Sequence, residues 1–269
     1  MSTVPFIPKW VDFHCHLDLY PDHQRLIHES DMEGIATLAV TTTPKAFARN
    51  VEMATGYPSV HIGLGLHPQL VAERAGELPL FEKLLSQSSY VGEVGLDASP
   101  RFYANFPDQQ RVFERVLCAC SEQGNKILSI HSVRAISTVL RALEAHLSNR
   151  TCVPVLHWFT GTKSEATRAI DQGCYFSINA EMIKERKMHP LLRWLPADRL
   201  LTETDGPFVK FEYRPIRPSD IPATVELLAR LRATSRSELA SVVTANFQAL
   251  TLGKPPLLPA NQLHLFEAV

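Results

Sequence analysis

The sequence predicts a single-domain α/β protein, a (β/α)8 barrel of the TIM type, from three observations. Eight short apolar runs alternate with helical patterns, the runs lie too far apart for hairpins, and no glycine-rich nucleotide turn of a doubly wound sheet is found. The length agrees: 269 residues exceed the commonest domain size but are ordinary for one barrel.

Strands are expected near Trp10 to His16, Ile35 to Thr42, Val60 to Leu66, Tyr90 to Leu96, Lys126 to His131, Val153 to His157, Cys174 to Ile178 and Arg199 to Asp205. Each is an apolar, β-branched run bounded by glycine, proline or a helix-start signal. Between them lie helical patterns at Asp22 to Met32, Pro44 to Ala54, Pro79 to Ser86, Asp108 to Gln123, Val133 to Leu147, Lys163 to Asp171 and Lys187 to Leu195. Two more, Pro218 to Ala233 and Arg236 to Leu250, close the barrel, the second opened by a Ser235/Glu238 capping box. Gly253 to Val269 contains Pro255, Pro256 and Pro259 and reads as a tail, laid on the barrel wall, left free or docking a partner.

Charge narrows the function. With 27 basic and 28 acidic residues the net charge is -1, which argues against a broad cationic surface that coats duplex nucleic acid and leaves room for a local basic site. Apolar residues make up 45%, charged residues 20%, and the mean hydropathy is -0.05, a balance that supports a large core. No run approaches the roughly 20 apolar residues of a membrane span, and Met1 to Lys9 lacks the features of a signal peptide. The expected location is cytoplasmic. Five cysteines without a C-x-x-C pair are expected to be reduced and mostly packed.

The chemistry collects at the strand ends. His14 and His16 stand two apart at the end of the first strand, so both project to the barrel interior while Cys15 faces the helices. Glu93 interrupts the apolar fourth strand, where an unpaired carboxylate is expensive; it needs a cation, either a buried Arg or Lys or a metal ion. His131 ends the fifth strand, His157 the sixth and Asp205 the eighth. Because active sites of such barrels lie at the carboxyl ends of the strands, these six residues are expected in one cavity.

Four imidazoles and two carboxylates exceed what one tetrahedral ion requires. Two divalent ions are expected, bridged by Glu93, with His14 and His16 on one and His131 and His157 on the other. Asp205 is the expected general base for the reactive water. The ligands favour zinc, manganese, iron or nickel over an all-oxygen magnesium or calcium site, with magnesium kept among the ions to be tried. Glu203 joins Glu93 and Asp205 as an expected catalytic carboxylate, orienting a ligand or the water. His67 and Arg134 are read as phosphate contacts, with a structural hydrogen bond or surface charge as the plainer alternatives. Trp158 and Phe159 suit either a base-stacking surface or the core. Arg214 and Arg217 are mouth charges or solvated loop, and Asp97 is a loop or helix-cap residue.

These motifs resemble those of the TatD family of metal-dependent deoxyribonucleases. Asp-Phe-His14-Cys-His16-Leu-Asp, Gly-Leu-His67-Pro, Val-Gly-Glu93-Val-Gly-Leu-Asp, Ile-His131-Ser, His157-Trp-Phe-Thr-Gly and Glu203-Thr-Asp205-Gly-Pro occur in family order over roughly residues 10 to 250. The resemblance implies residues 1–252 as a TatD-like hydrolase barrel, residues 253–269 as a proline-containing C-terminal tail, a two-metal site, and hydrolysis of DNA phosphodiesters, often from the 3′ end of single strands. Val11 to Asp22, Val40 to Pro44, Gly65 to Leu70 and His157 to Thr162 are most similar to TatD-like nucleases of the Qat anti-phage defence system. That likeness implies an ATPase and a QueC-like protein as partners. Gln69, Trp158 and Gly206 depart from common family residues and bear on substrate preference. Two other functions keep their place: a hydrolase of C–N or ester bonds at the same metal site, and a non-catalytic assembly subunit of a defence complex.

Overall fold

A computed structural model describes residues 6–147 and 151–252. The chain alternates strand and helix: β1 (Trp10–Cys15), α1 (His23–Glu33), β2 (Ile35–Val40), α2 (Pro44–Ala54), β3 (Val60–Leu64), α3 (Val71–Arg74), α4 (Leu78–Leu84), β4 (Tyr90–Gly95), α5 (Phe106–Gln123), β5 (Ile127–His131), α6 (Ile136–His146), β6 (Val153–His157), α7 (Lys163–Asp171) and β7 (Tyr175–Ile178). There follow α8 (Ala180–Lys184), α9 (His189–Trp194), β8 (Leu200–Thr202), β9 (Lys210–Phe211), β10 (Arg214–Pro215), α10 (Ile221–Leu231) and α11 (Arg236–Leu252). Strands β1 to β8 pair in parallel in chain order, as the predicted barrel requires. The Ser235/Glu238 capping box opens α11, with Glu238 N donating to Ser235 Oγ and Ser235 N to Glu238 Oε2.

Ends β8 and β1 meet through a seam of individual hydrogen bonds. Thr202 Oγ1 donates to Val11 O at 2.6 Å, Thr204 N and Oγ1 donate to the two carboxylate oxygens of Asp12 at 2.8 and 2.7 Å, Asp205 N donates to His14 O at 2.8 Å, and His16 N donates to Gly206 O at 2.8 Å. Strand β8 therefore stops at Thr202, shorter than expected, because the residues after it bond to β1 by side chain and turn. Asp205 then takes a positive φ of 51°, so strand alternation does not govern the directions of Glu203 and Asp205.

Other differences are local. Helix α6 starts at Ile136, beyond the predicted Val133, because the segment after His131 turns through Arg134 at φ 51°. The β9–β10 hairpin was hidden by its two-residue strands. The predicted tail, 253–269, lies outside the described residues. Cysteines 15, 120, 152 and 174 are buried, and all five are free thiols. No helix among the described residues is long and apolar enough to cross a membrane.

Glycine placement carries Glu93 into the interior. Glu93 N donates to Thr41 O at 3.0 Å and Leu66 N to Glu93 O at 3.0 Å, so the ends of β2 and β4 touch across the end of β3. Only a residue without a side chain fits between them: a Cβ on Gly65 would stand 1.7 Å from Thr41 O and 2.6 Å from Glu93 N. Gly65→Ala is expected to destabilise the fold by about 3 kcal/mol or more, whereas Gly76→Ala, whose Cβ would meet nothing within 4 Å, stays within about 0.5 kcal/mol. Equilibrium urea unfolding of the two variants checks this, and equal midpoints would contradict it.

Candidate metal centre

The Glu93 carboxylate is 2% exposed and divides the surrounding imidazoles between its two oxygens. Oε2 faces His14 Nε2 at 3.5 Å, His16 Nε2 at 3.2 Å and His67 Nε2 at 3.1 Å. Oε1 faces His131 Nδ1 at 2.6 Å and His157 Nε2 at 3.1 Å. Asp205 Oδ1 lies 3.7 Å from both His14 Nε2 and His16 Nε2. The six expected ligands are thus brought together, and His67 with them. Among the described residues every cationic group within ion-pair distance of Glu93 is an imidazole, so the buried Arg or Lys weighed in the sequence is not there.

The donor set fits divalent cations. His14 Nε2 and His16 Nε2 sit 3.3 Å apart and aim at the same carboxylate oxygen, an arrangement that a shared cation would satisfy. His14 Nδ1 lies 2.7 Å from Ser129 Oγ; with Nδ1–H given to that hydroxyl, the Nε2 lone pair is left for an ion. His14, His16 and Asp205 form one trio of ligand atoms within 4.8 Å of one another, and His67, Glu93 and His131 form another. The predicted division into His14/His16 and His131/His157 follows the two oxygens of Glu93, although the second trio contains His67 rather than His157.

His67 has a tautomer of its own. Its Nδ1 accepts from Gln69 N at 3.1 Å, so the neutral ring carries its proton on Nε2 and presents an N–H to the cavity. A donor there suits an anionic oxygen better than a metal ion.

Two carboxylates hold the imidazoles in place. His131 Nε2 lies 3.1 Å from Asp97 Oδ2, which also accepts from Gln69 Nε2 at 2.7 Å, while Asp97 Oδ1 accepts from Ser99 N at 2.8 Å. Burial works to raise the Asp97 pKa, yet the bonds from His131, Ser99 and Gln69 hold it below the ordinary value. With Nε2–H given to Asp97, His131 Nδ1 lies 2.6 Å from Glu93 Oε1, a distance that calls for a proton or a cation between the two atoms. Sequence reasoning missed this role, because the contact joins loops after three different strands and no spacing signals it. Glu203 accepts from Asn179 Nδ2 at 2.9 Å, Trp158 N at 3.1 Å and the Ser177 hydroxyl, and lies 3.5 Å from His157 Nδ1. It accepts from these donors outside the cavity lining and, with His14 and His157, forms a third trio of ligand atoms within 4.8 Å of one another.

Crowding polarises the cluster. The His14 and His157 rings stack 3.9 Å apart at 11°, so they do not both carry charge. Burial, reinforced by His157, keeps His14 well below the ordinary imidazole pKa; His157 resists its own burial because Glu203 and Glu93 hold it well above. Burial alone would raise Glu93, but His67, His14, His157 and His131 hold it well below the usual carboxylate range. Burial pushes Asp205 up to about 7 against the pull of His157 and His16.

The cluster floors a cavity of about 360 Å³ whose walls include Gln69, Val133, Trp158 and Phe208. Phe208 stands edge-on to His16, ring centres 5.1 Å apart. Trp158 lines the cavity at φ 42°, whereas Phe159 is fully buried against Phe176 and belongs to the core. Arg134 departs from expectation: its positive φ turns the chain at that point, its side chain is exposed, and Val133 lines the cavity instead. Arg214 is paired with Asp220 and Arg217 with Asp22, so both read as structural loop charges.

A family model described as TatD related DNase matches residues 11–251. A protein named 3'-5' ssDNA/RNA exonuclease TatD from Erwinia tasmaniensis is 27% identical over 85% of this chain and 93% of its own length. Human Deoxyribonuclease TATDN3 is 27% identical over 88% of this chain and 92% of its own. The crystal structure of the Escherichia coli TatD homologue YjjV superposes with a TM-score of 0.81 at 24% identity, covering 91% of this chain and 98% of that one, a likeness of fold.

The orienting role of Asp97 has a direct test. Asp97→Ala is expected to weaken divalent-metal binding about 10- to 100-fold, read by competition with a fluorescent chelator, and unchanged affinity would refute the role.

Proposed function

Because this chain belongs to the TatD-related DNase family, we propose that this metal-dependent hydrolase cleaves phosphodiester bonds in nucleic acid, removing nucleotides from the 3′ end of single strands. The observation that carries the reading is the two-faced Glu93 carboxylate, with one group of imidazoles on each oxygen and Asp205 beside the first. His14, His16 and Asp205 would hold one ion, His131 and His157 a second, and Glu93 would touch both. Divalent ions held by such a set acidify water and offset the charge that builds on a phosphoryl group.

The protein's own groups complete the reaction. Asp205, buried at the cavity wall, accepts a proton from the attacking water. His67, whose Nε2–H faces Glu93 Oε2 at 3.1 Å, would turn that donor to a phosphate oxygen once cations stand beside the carboxylate. Trp158 offers a ring to the terminal base. Arg134, exposed beside the lining residue Val133, meets a phosphate further along the strand. The cavity volume, at the small end of the roughly 300–1,000 Å³ typical of ligand pockets, supports a strand end over a duplex. The 3'-5' ssDNA/RNA exonuclease named from Erwinia tasmaniensis supports the 3′ polarity. Likeness of four sequence stretches to Qat-system nucleases supports a role in anti-phage defence, with the ATPase and QueC-like protein as partners.

Metal-free protein resupplied with manganese, magnesium, zinc or nickel is expected to shorten a 5′-labelled single-stranded oligonucleotide to a ladder. Asp205→Asn should slow this by about 10²- to 10⁴-fold, and chelation should abolish it. Metal-loaded protein that leaves every oligonucleotide intact yet opens amides or lactones would replace the nuclease with a C–N or ester hydrolase.

A further inference from the structure

We propose that the loop after β8 is a stacking surface for unpaired bases of the single strand whose end occupies the cavity, with Phe208 at the mouth and Tyr213 farther along the strand. The proposal rests on the nucleic-acid reading above and extends it beyond the reacting nucleotide.

Exposed aromatic rings are the starting point. Among the described residues these are Tyr103, Phe208 and Tyr213, and all three lie on loops at the carboxyl ends of strands. Tyr103 stacks on Phe106 at 5.7 Å. Phe208 is 62% exposed although it also lines the cavity beside His16. Tyr213, in the turn between β9 and β10, is fully exposed. Single exposed apolar residues are unremarkable; two aromatic rings on one loop that begins inside the cavity are continuous with the site.

The loop is braced. Phe208 N and Val209 N donate to Asp205 O at 3.0 and 3.3 Å, and Ile216 N donates to Val209 O at 3.0 Å. The Tyr20 hydroxyl donates to Ile216 O, and the Arg214 guanidinium forks onto both Asp220 oxygens at 2.7 Å. The rings are therefore presented by a fixed frame, which lowers the entropy lost on binding. Exposed Lys210 on β9 adds a positive charge for a backbone phosphate. Base-on-ring stacking is tolerant of sequence, because every base has a π face.

The test uses the full chain and single-stranded oligonucleotides from dinucleotides to about 8-mers. Cleavage is measured as kcat/KM with metal, and binding by fluorescence anisotropy under chelation. For the wild-type protein kcat/KM should rise with length; Tyr213→Ala should lose about 5- to 100-fold of that gain, Tyr213→Leu should lose it as well, and Tyr213→Trp should keep it. Unchanged thermal unfolding of the variants excludes misfolding. Cleavage whose length dependence survives Tyr213→Ala overturns the stacking surface and leaves the nuclease standing. The same survival, joined to loss of self-association in ultracentrifugation, assigns the tip to a second copy of the chain. Protein that neither binds nor cuts any oligonucleotide overturns both readings together.

Discussion

Glu93 is a carboxylate that the fold buries and cannot leave unpaired. Removing such a charge from water costs several kcal/mol unless partners replace the lost solvent. Here the partners are imidazoles delivered by β1, β5 and β6 and by the turn after β3. An arginine would have neutralised Glu93 permanently and left nothing for an ion to do. Imidazoles neutralise it conditionally, since each can exchange a proton for a metal. The same constraint explains the glycines beside it, because the carboxylate reaches the interior only where β2 and β4 approach across Gly65.

Closure of the barrel and assembly of the site are the same event. The seam between β1 and β8 runs through Asp12 and Thr204, and the backbones of His14 and Asp205 are bonded to each other within it. Two prospective ligands from opposite ends of the chain are thereby set in register by the bonds that close the sheet. Burial pushes the Asp12 carboxyl up to about 7, and the hydrogen bonds from Thr204 work against that rise. Rigid positioning of this kind is what multi-ligand sites require, since ligands held loosely lose both affinity and geometry.

The architecture was legible because strand and helix alternate with strong contrast, and the candidate ligands were legible because ionisable residues ending apolar runs have no ordinary packing role. His14, His16, Glu93, His131, His157 and Asp205 all carried that signal, and the structure brings all six together. Residues acting through others carried none. Asp97, Ser129 and Gln69 reach His131, His14 and Asp97 between loops or across the barrel interior, and each looks like an ordinary polar residue in the sequence. Arg134 could be read from sequence as a phosphate contact or a surface charge, and the turn at that residue leaves it exposed. Phe208 was invisible for the opposite reason: one phenylalanine after a proline resembles any loop until β9 and β10 bring its surroundings into view.

The seam also gives the order of synthesis a meaning. Of the eight barrel strands β1 is made first, and Thr204 and Asp205 emerge only after seven further strands. A nascent chain stopped short of them already carries Glu93 and its imidazoles, but it has neither the carboxylate beside His16 nor the bonds that join the first strand to the last. The candidate site is therefore complete only once the last strand of the barrel has been made, because its first and last contributors are joined by the bonds that close the sheet.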